Sequence, residues 1–432
     1  MENLQTLWLC DLKLTSLPKG FYKLRNLREL RMSGCEKITR FPPKIAQLTN
    51  LETLEVSRCR SLERLPHQLW QLSDLEVLTI KGCKNLSVIP KMVSDLPYLR
   101  ELEIANCKQI KTLPKEFFRF PRLKKLKLYG LDRLSNMPES LGNLISLESL
   151  VITFCSRIKV LPESINALEN VQKMELSSLG IKFLPNGITD LEQLKELNID
   201  FCDKLEKLPA DFEKLQQLKL LSFRNCESLS ALPPNLFTHL RTLNICCPFI
   251  KTLPNHIERL TQLETLNIGC KNLEVLPEEV FQLTKLEDLN IGSAVMTSLP
   301  PRIKSLRKLC NLWIDCPKLI ELPKDIGSLK KLRNLRIEET DFIEKLPKSI
   351  THLRLYNIKL ENCLRLCITR KQKRWLKRME RRSTSYTIYN IEPWYGADWF
   401  RTSVEDRIIQ RRSMTPGTIE FKRRMKRMFE EE

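Results

Sequence analysis

Apolar side chains recur in a fixed order along the first 368 residues. One unit reads Leu51, Leu54, Val56, Cys59, Leu62, Leu65, Pro66, Leu69 and Leu72, with polar residues between, and the next starts at Leu75 and repeats the order through Leu96. The alternation Leu54-x-Val56 predicts a short strand, those two side chains inward and Thr53, Glu55 and Ser57 outward. Cys59 closes the strand and turns inward, where its thiol meets turn backbone groups. Leu62 and Leu65 carry the chain back beneath the strand. Pro66 suits the first position of a short helical turn, because its missing N–H has no partner to lose there. Leu69 and Leu72, three apart, give that turn its buried stripe.

The order repeats with a period. An apolar residue followed by proline recurs from Pro18 through Pro42, Pro66 and Pro90 to Pro323 and Pro347, mostly at 23 or 24 residues, and sixteen units begin between Leu4 and Leu355. One unit cannot bury its own apolar side, whereas stacked neighbours pool a core. The expected fold class is therefore α/β, a curved leucine-rich-repeat solenoid of about sixteen repeats. Its parallel sheet lines the concave face and its short helical turns form the convex one. The solenoid is expected over residues 1–368 and a separate basic cap or tail over 369–432. The step from Pro233 to Pro254 is 21 residues, and the compressed run Leu236-Phe237-Thr238-His239-Leu240 predicts a local change of curvature.

Composition narrows the setting. The chain is 42% hydrophobic, enough for a packed core. No apolar run of membrane-spanning length occurs, and the start Met1-Glu2-Asn3-Leu4 lacks the pattern of a secretory signal. Cys35, Cys59, Cys83 and Cys107 fall 24 residues apart, with Cys155, Cys202, Cys226 and Cys363 at the same place in later units. None of the eight makes the Cys-x-x-Cys arrangement of a metal knuckle. Unpaired thiols used as small buried side chains suit a reducing compartment, so the expected location is the cytoplasm or nucleus.

The cysteine at the strand end, the Leu-Pro pair and units such as Leu78-Thr79-Ile80-Lys81-Gly82-Cys83-Lys84-Asn85-Leu86 resemble the leucine-rich-repeat regions of plant nucleotide-binding disease-resistance receptors. The likeness covers residues 1 to about 366, and similar Leu-Pro repeats occur in Ras-pathway scaffold proteins. The resemblance implies binding of a pathogen-derived or host protein inside the cell, in defence signalling. The Gly-x-x-x-x-Gly-Lys-Ser/Thr phosphate loop that such receptors carry is absent from this sequence, so nucleotide hydrolysis is not implied.

Enzymatic chemistry finds little footing, and neither an activity nor a cofactor is expected. His67, His239, His256 and His352 all fall after a Leu-Pro or in a connection, away from the outward strand positions. Cys246, Cys247, Cys270 and Cys316 fall where strands end and are expected to be exposed, yet no histidine shares that surface to act as a base. Recognition in this architecture belongs to the outward strand positions. Early units place charge there (Glu29 and Arg31, Glu101 and Glu103, Lys125 and Lys127). Later ones place amides: Asn198, Asn244, Asn267 and Asn290 in one row, Asn311, Asn334 and Asn357 in another. Stacked amides either bond one another or form a polar groove for a peptide. Trp8, Tyr129, Phe154, Phe201 and Trp313 also read as outward, and interface hot spots favour aromatics. The candidate partner surface is therefore these five with Lys125, Lys127, Asn244, Asn267 and Asn290.

Beyond Ile368 the pattern stops. Residues 369–432 carry seventeen Lys and Arg against nine Asp and Glu, a net +8 of the total +20. Arg370, Lys371, Lys373, Arg374, Lys377 and Arg378 line a basic helix with Trp375 and Met379 on one side. Trp394, Tyr395 and Trp399, then Phe421, Met425, Met428 and Phe429, follow. Three readings compete: a cap on the last repeat, a nuclear-import or anionic-membrane signal, and nucleic-acid contact.

Overall fold

The structure, a computed structural model, describes residues 3–380 apart from 19, 92–95, 234–238, 255 and 364. The compressed run at 236–238 and the aromatic residues from 386 onward lie outside the described residues. Sixteen strands, from Thr6–Cys10 to Asn357–Glu361, form one parallel sheet in chain order. Register follows the repeat. Leu30, Leu54, Leu78 and Leu102 pair in succession, as do Met32, Val56, Ile80 and Ile104. A slip of one residue would turn every one of these leucines to the opposite face. In Thr53–Ser57, Leu54 and Val56 are buried and the other three residues half-buried, as the alternation requires.

Most coils return through a 3-10 helix of three to five residues, such as His67–Gln71. Pro66 lies one residue before that helix, in extended backbone with φ −77° and ψ 149°, not in its first position. The reason is the i→i+3 bonding of a tight turn: the Leu69 N–H donates to the Pro66 carbonyl at 3.1 Å, so the proline itself opens the turn. Between Cys107 and the strand Lys125–Tyr129 no such helix forms. Phe117, Phe118 and Phe120 fill the space instead, with Trp70 edge-on to Phe117 at 5.8 Å.

The interior is one continuous cluster from Leu17 to Met379. The strand-end cysteines belong to it. Cys226 Sγ donates to the Ile199 carbonyl at 3.0 Å and Cys202 Sγ to the Leu176 carbonyl at 3.2 Å, each reaching the preceding coil. After the last strand comes helix α1 (Arg370–Glu380). Thr369 and Gln372 cap its start reciprocally: the Thr369 N–H donates to Gln372 Oε1 at 2.9 Å, and the Gln372 N–H to Thr369 Oγ1 at 3.3 Å. Trp375 and Met379 are buried, and Trp375 Nε1 donates to the Leu353 carbonyl at 3.1 Å. Among the described residues no helix is long and apolar enough to cross a membrane.

Candidate protein-docking surface

Parallel register brings residues 23 or 24 apart in sequence side by side on the strand face, and this proximity decides what is free there. Lys125 and Lys127 are not unpaired cations. Lys125 Nζ lies 2.6 Å from Glu101 and Lys127 Nζ 3.3 Å from Glu103, while Lys81 reaches Glu103 at 2.9 Å from the other side. The amides likewise serve one another. Asn290 donates to Asn267, Asn267 to Asn244 at 2.6 Å, and Asn244 to Ser222 Oγ at 3.4 Å. A second row runs from Asn357 to Asn334 at 2.7 Å, then to Asn311 and on to Asp288. Of the two readings open to these amides, the geometry shows the self-bonded ladder.

The aromatic residues separate into two kinds. Trp8 stands in an outward strand slot, 61% exposed, with the Arg31 guanidinium 5.3 Å from its ring. Tyr129 is half-buried at its strand end. Phe154 and Phe201 are exposed as expected, but at a different point of the coil from the alternating strand slots. Phe154 stands near the end of the strand Ser149–Cys155 and Phe201 in the bend after Glu196–Asn198, at φ 54° and 58°. That slot holds Gly34, Gly82 and Gly130, Asn106, Asn225 and Asn362, and also Asp11, Arg58, Ser178 and Glu339 in other coils, all at positive φ, because the chain must bend left-handed there to enter the descending segment. A bulky side chain in that conformation costs roughly 1–2 kcal/mol. Phe154 and Phe201 nevertheless remain 52% and 46% exposed, and the Phe154 ring lies 5.0 Å from that of Tyr129.

Trp313 also differs from expectation. It is half-buried rather than exposed, because Arg336, its register partner on the next strand, lays a guanidinium 4.1 Å from the indole centroid. Arg336 belongs to a charged cluster that reading the coils one at a time does not reveal: Arg336 and Lys359 flank Glu338, Lys359 Nζ at 2.8 Å, and Lys359 also reaches Glu361 at 2.6 Å. Burial pushes the Asp315 carboxyl up to about 7, and the neighbouring Glu339 and Glu338 charges add to the shift against Arg336. Glu338 moves the other way. Burial alone would raise it, but its bonds to Arg336 and Lys359 outweigh that and hold it below the usual carboxylate range.

A second such cluster centres on Asp200, which is 4% exposed. Its Oδ1 accepts from Ser222 Oγ and from the Arg224 N–H, and its Oδ2 from Arg224 Nε, all at 2.9 Å. The expected exposed thiols are absent from this surface: Cys246, Cys247, Cys270 and Cys316 are all buried. Cys247, Cys270 and Cys316 each lie two residues past an inward isoleucine, so alternation carries them inward, and burial pushes the Cys246, Cys270 and Cys316 thiols up to about 12. Cys10 and Cys367 are the exposed ones. Among the described residues no group of three or more His, Cys, Asp or Glu is placed to hold a metal ion. In α1, Arg370, Lys371, Lys373, Arg374 and Arg378 are exposed; the Lys377 side chain lies outside the described residues.

Residues 235–319 match the family described as leucine-rich repeat region. The fold is a leucine-rich-repeat solenoid. Two solved structures extend the likeness beyond that segment. A leucine-rich-repeat protein of Leptospira interrogans is 23% identical with a TM-score of 0.53, over 88% of this chain and 95% of that one. Toll, from the Toll–Spätzle complex of Drosophila, is 21% identical with a TM-score of 0.55, over 82% of this chain and 46% of that one. At these identities the likeness is one of fold. No curated protein matches the sequence.

Proposed function

We propose that this chain is a protein-recognition module that seats its partner against the strand-end rim of the sheet, on Tyr129, Phe154 and Phe201. The observation that carries this reading is the pair of exposed phenylalanines in left-handed backbone. Each carries a conformational cost that Gly or Asn would avoid, and although Phe154 packs against Tyr129, both leave about half of their surface exposed. Strain held at an exposed site is what a binding surface retains, and rigid aromatics supply most of the energy of protein interfaces. The self-bonded amides and paired lysines then act as a stiff, water-excluding surround. The resemblance of the repeats to disease-resistance receptors supports a role in intracellular immune-type signalling, in the cytoplasm or nucleus, with a pathogen-derived or host protein as ligand.

The test replaces Phe154→Asn and Phe201→Asn together, because Asn suits the left-handed slot. The urea midpoint of the variant is expected to hold or rise, while affinity for a partner purified on the wild-type chain falls about 30-fold or more. A stable variant that binds that partner with undiminished affinity would remove the rim from the interface.

A further inference from the structure

The short helices on the far side of the coils differ in charge, and several early ones, such as Pro43–Gln47 and His67–Gln71, have no acidic residue in their first turns. Those at Glu139–Asn143, Glu163–Ala167 and Glu278–Gln282 begin with glutamate. The last three, Pro301–Ser305, Ile326–Ser328 and Lys348–His352, have no acidic residue in their first turns. Arg307, Lys308, Lys330, Lys331, Lys348 and Arg354 are exposed on these helices and in the segments that follow them. Among the described residues none of the six has a carboxylate partner within 4.0 Å, whereas Arg302 and Lys304 are paired with Glu278 and Asp325. Helix α1 adjoins this face. Gln372 Nε2 donates to the Leu346 carbonyl at 3.0 Å, and Trp375 reaches Leu353, so the helix is anchored beside Lys348–His352. Its cations Lys371, Lys373 and Arg374 point to solvent. Sequence separates the basic helix from the last three coils, but folding joins them into one cationic surface.

We propose that this surface, opposite the strand face, binds the phosphate backbone of duplex nucleic acid. Three observations select that partner. The cations are spread over three successive coils and a helix, which suits an extended polyanion rather than a single phosphate group. Arginines stand among them, and guanidinium groups bind phosphate bidentately. Of the apolar residues of α1, Trp375 and Met379 are buried in the stack and Leu376 is half-buried against it, so the helix presents no fully exposed apolar residue to a lipid interface. Of the nearby aromatics, exposed Tyr356 has its ring occupied by Arg333 at 5.2 Å and exposed Phe342 by Arg365 at 4.9 Å, so among the described residues this surface offers no open stacking platform for a single strand.

The experiment follows binding of the full chain to a fluorescein-labelled, mixed-sequence duplex of about 20 base pairs by anisotropy across a salt series. One variant carries R307E, K308E, K330E and K331E. A second carries the same charge change at the other end of the stack, K13E, K23E, R25E and K44E. The first is expected to bind at least roughly 30-fold more weakly and to flatten the slope of log affinity against log salt by about 3. The second is expected to change affinity less than about threefold. Equal losses in both would reduce the effect to net charge, and no loss in the first would confine binding to the tail; either overturns the proposal. So would retention on phosphatidylserine vesicles, or competition by polyglutamate, matching the duplex. Should the reversed variant misfold by circular dichroism, the Gln substitutions at the same four positions give the same reading, with a slope change of the same sign.

Discussion

Replacing Asp200 with alanine is expected to cost about 2–4 kcal/mol of stability, less than a fully buried pair would because the Arg224 side chain is 35% exposed. The carboxylate is almost wholly removed from water, and its removal strands three partners at once: the Arg224 guanidinium, the Arg224 N–H and Ser222 Oγ. A buried ion pair is weak evidence of net stabilisation while intact, because desolvation offsets most of the attraction. Breaking one side leaves the other charge uncompensated, and that is the larger effect. Asp200→Asn retains the shape and one acceptor and is expected to fall between wild type and alanine. The loss should appear first around the coils containing Glu196–Asn198 and Leu220–Arg224, as faster amide exchange there before the urea midpoint moves. A change below about 1 kcal/mol would mean that Arg224 and Ser222 find water or other partners without cost.

Trp70→Ala is expected to lose a comparable amount, about 3–5 kcal/mol, for a different reason. Trp70 is 1% exposed and packs on Phe117 and Phe120. Its Nε1 donates to the Pro90 carbonyl at 3.3 Å, a bond that spans to the following coil. The substitution therefore opens a cavity and leaves a buried carbonyl without its donor. Trp70→Phe keeps most of the volume and loses chiefly the hydrogen bond, and should cost about 1–3 kcal/mol. Equal losses for Phe and Ala, read from urea unfolding by circular dichroism, would show that packing contributes little there. Because coils contact chiefly their neighbours, the Asp200 deletion should propagate along the stack less than it would through a globular core, whereas loss of Trp70, whose ring reaches Phe117 two coils on, should disturb a wider stretch.

Why was so much of the fold legible? A period of 23 or 24 residues fixes which leucine stacks on which, so strand positions and register follow from the sequence alone. Leu54 over Leu78 and Val56 over Ile80 fall where the alternation puts them. The surface was less legible, for two reasons. At strand ends the backbone bends and facing is easily misjudged: strict alternation turns Cys270 and Cys316 inward, one residue past the outward positions Gly269 and Asp315, whereas Cys246 holds an outward position and is buried all the same. The same bend creates the left-handed slot of Phe154 and Phe201, which a sequence pattern shows only when glycine or asparagine occupies it. Trp313 and Arg336, or Asp315 and Glu338, become neighbours only when coils are laid side by side. Counting charge by segment concealed the cationic far side as well, since its lysines lie in three separate coils.

The central claim is that a partner protein docks on the strand-side rim and leaves the outer flanks bare. The most direct measurement places a photo-activatable benzophenone residue at Phe154 or Phe201, and in parallel at exposed Ile145 or Val160 away from the strands, then illuminates the assembled complex. The account predicts one and the same cross-linked partner from positions 154 and 201 and none from 145 or 160. Cross-links confined to 145 and 160, with the rim positions silent, would contradict it.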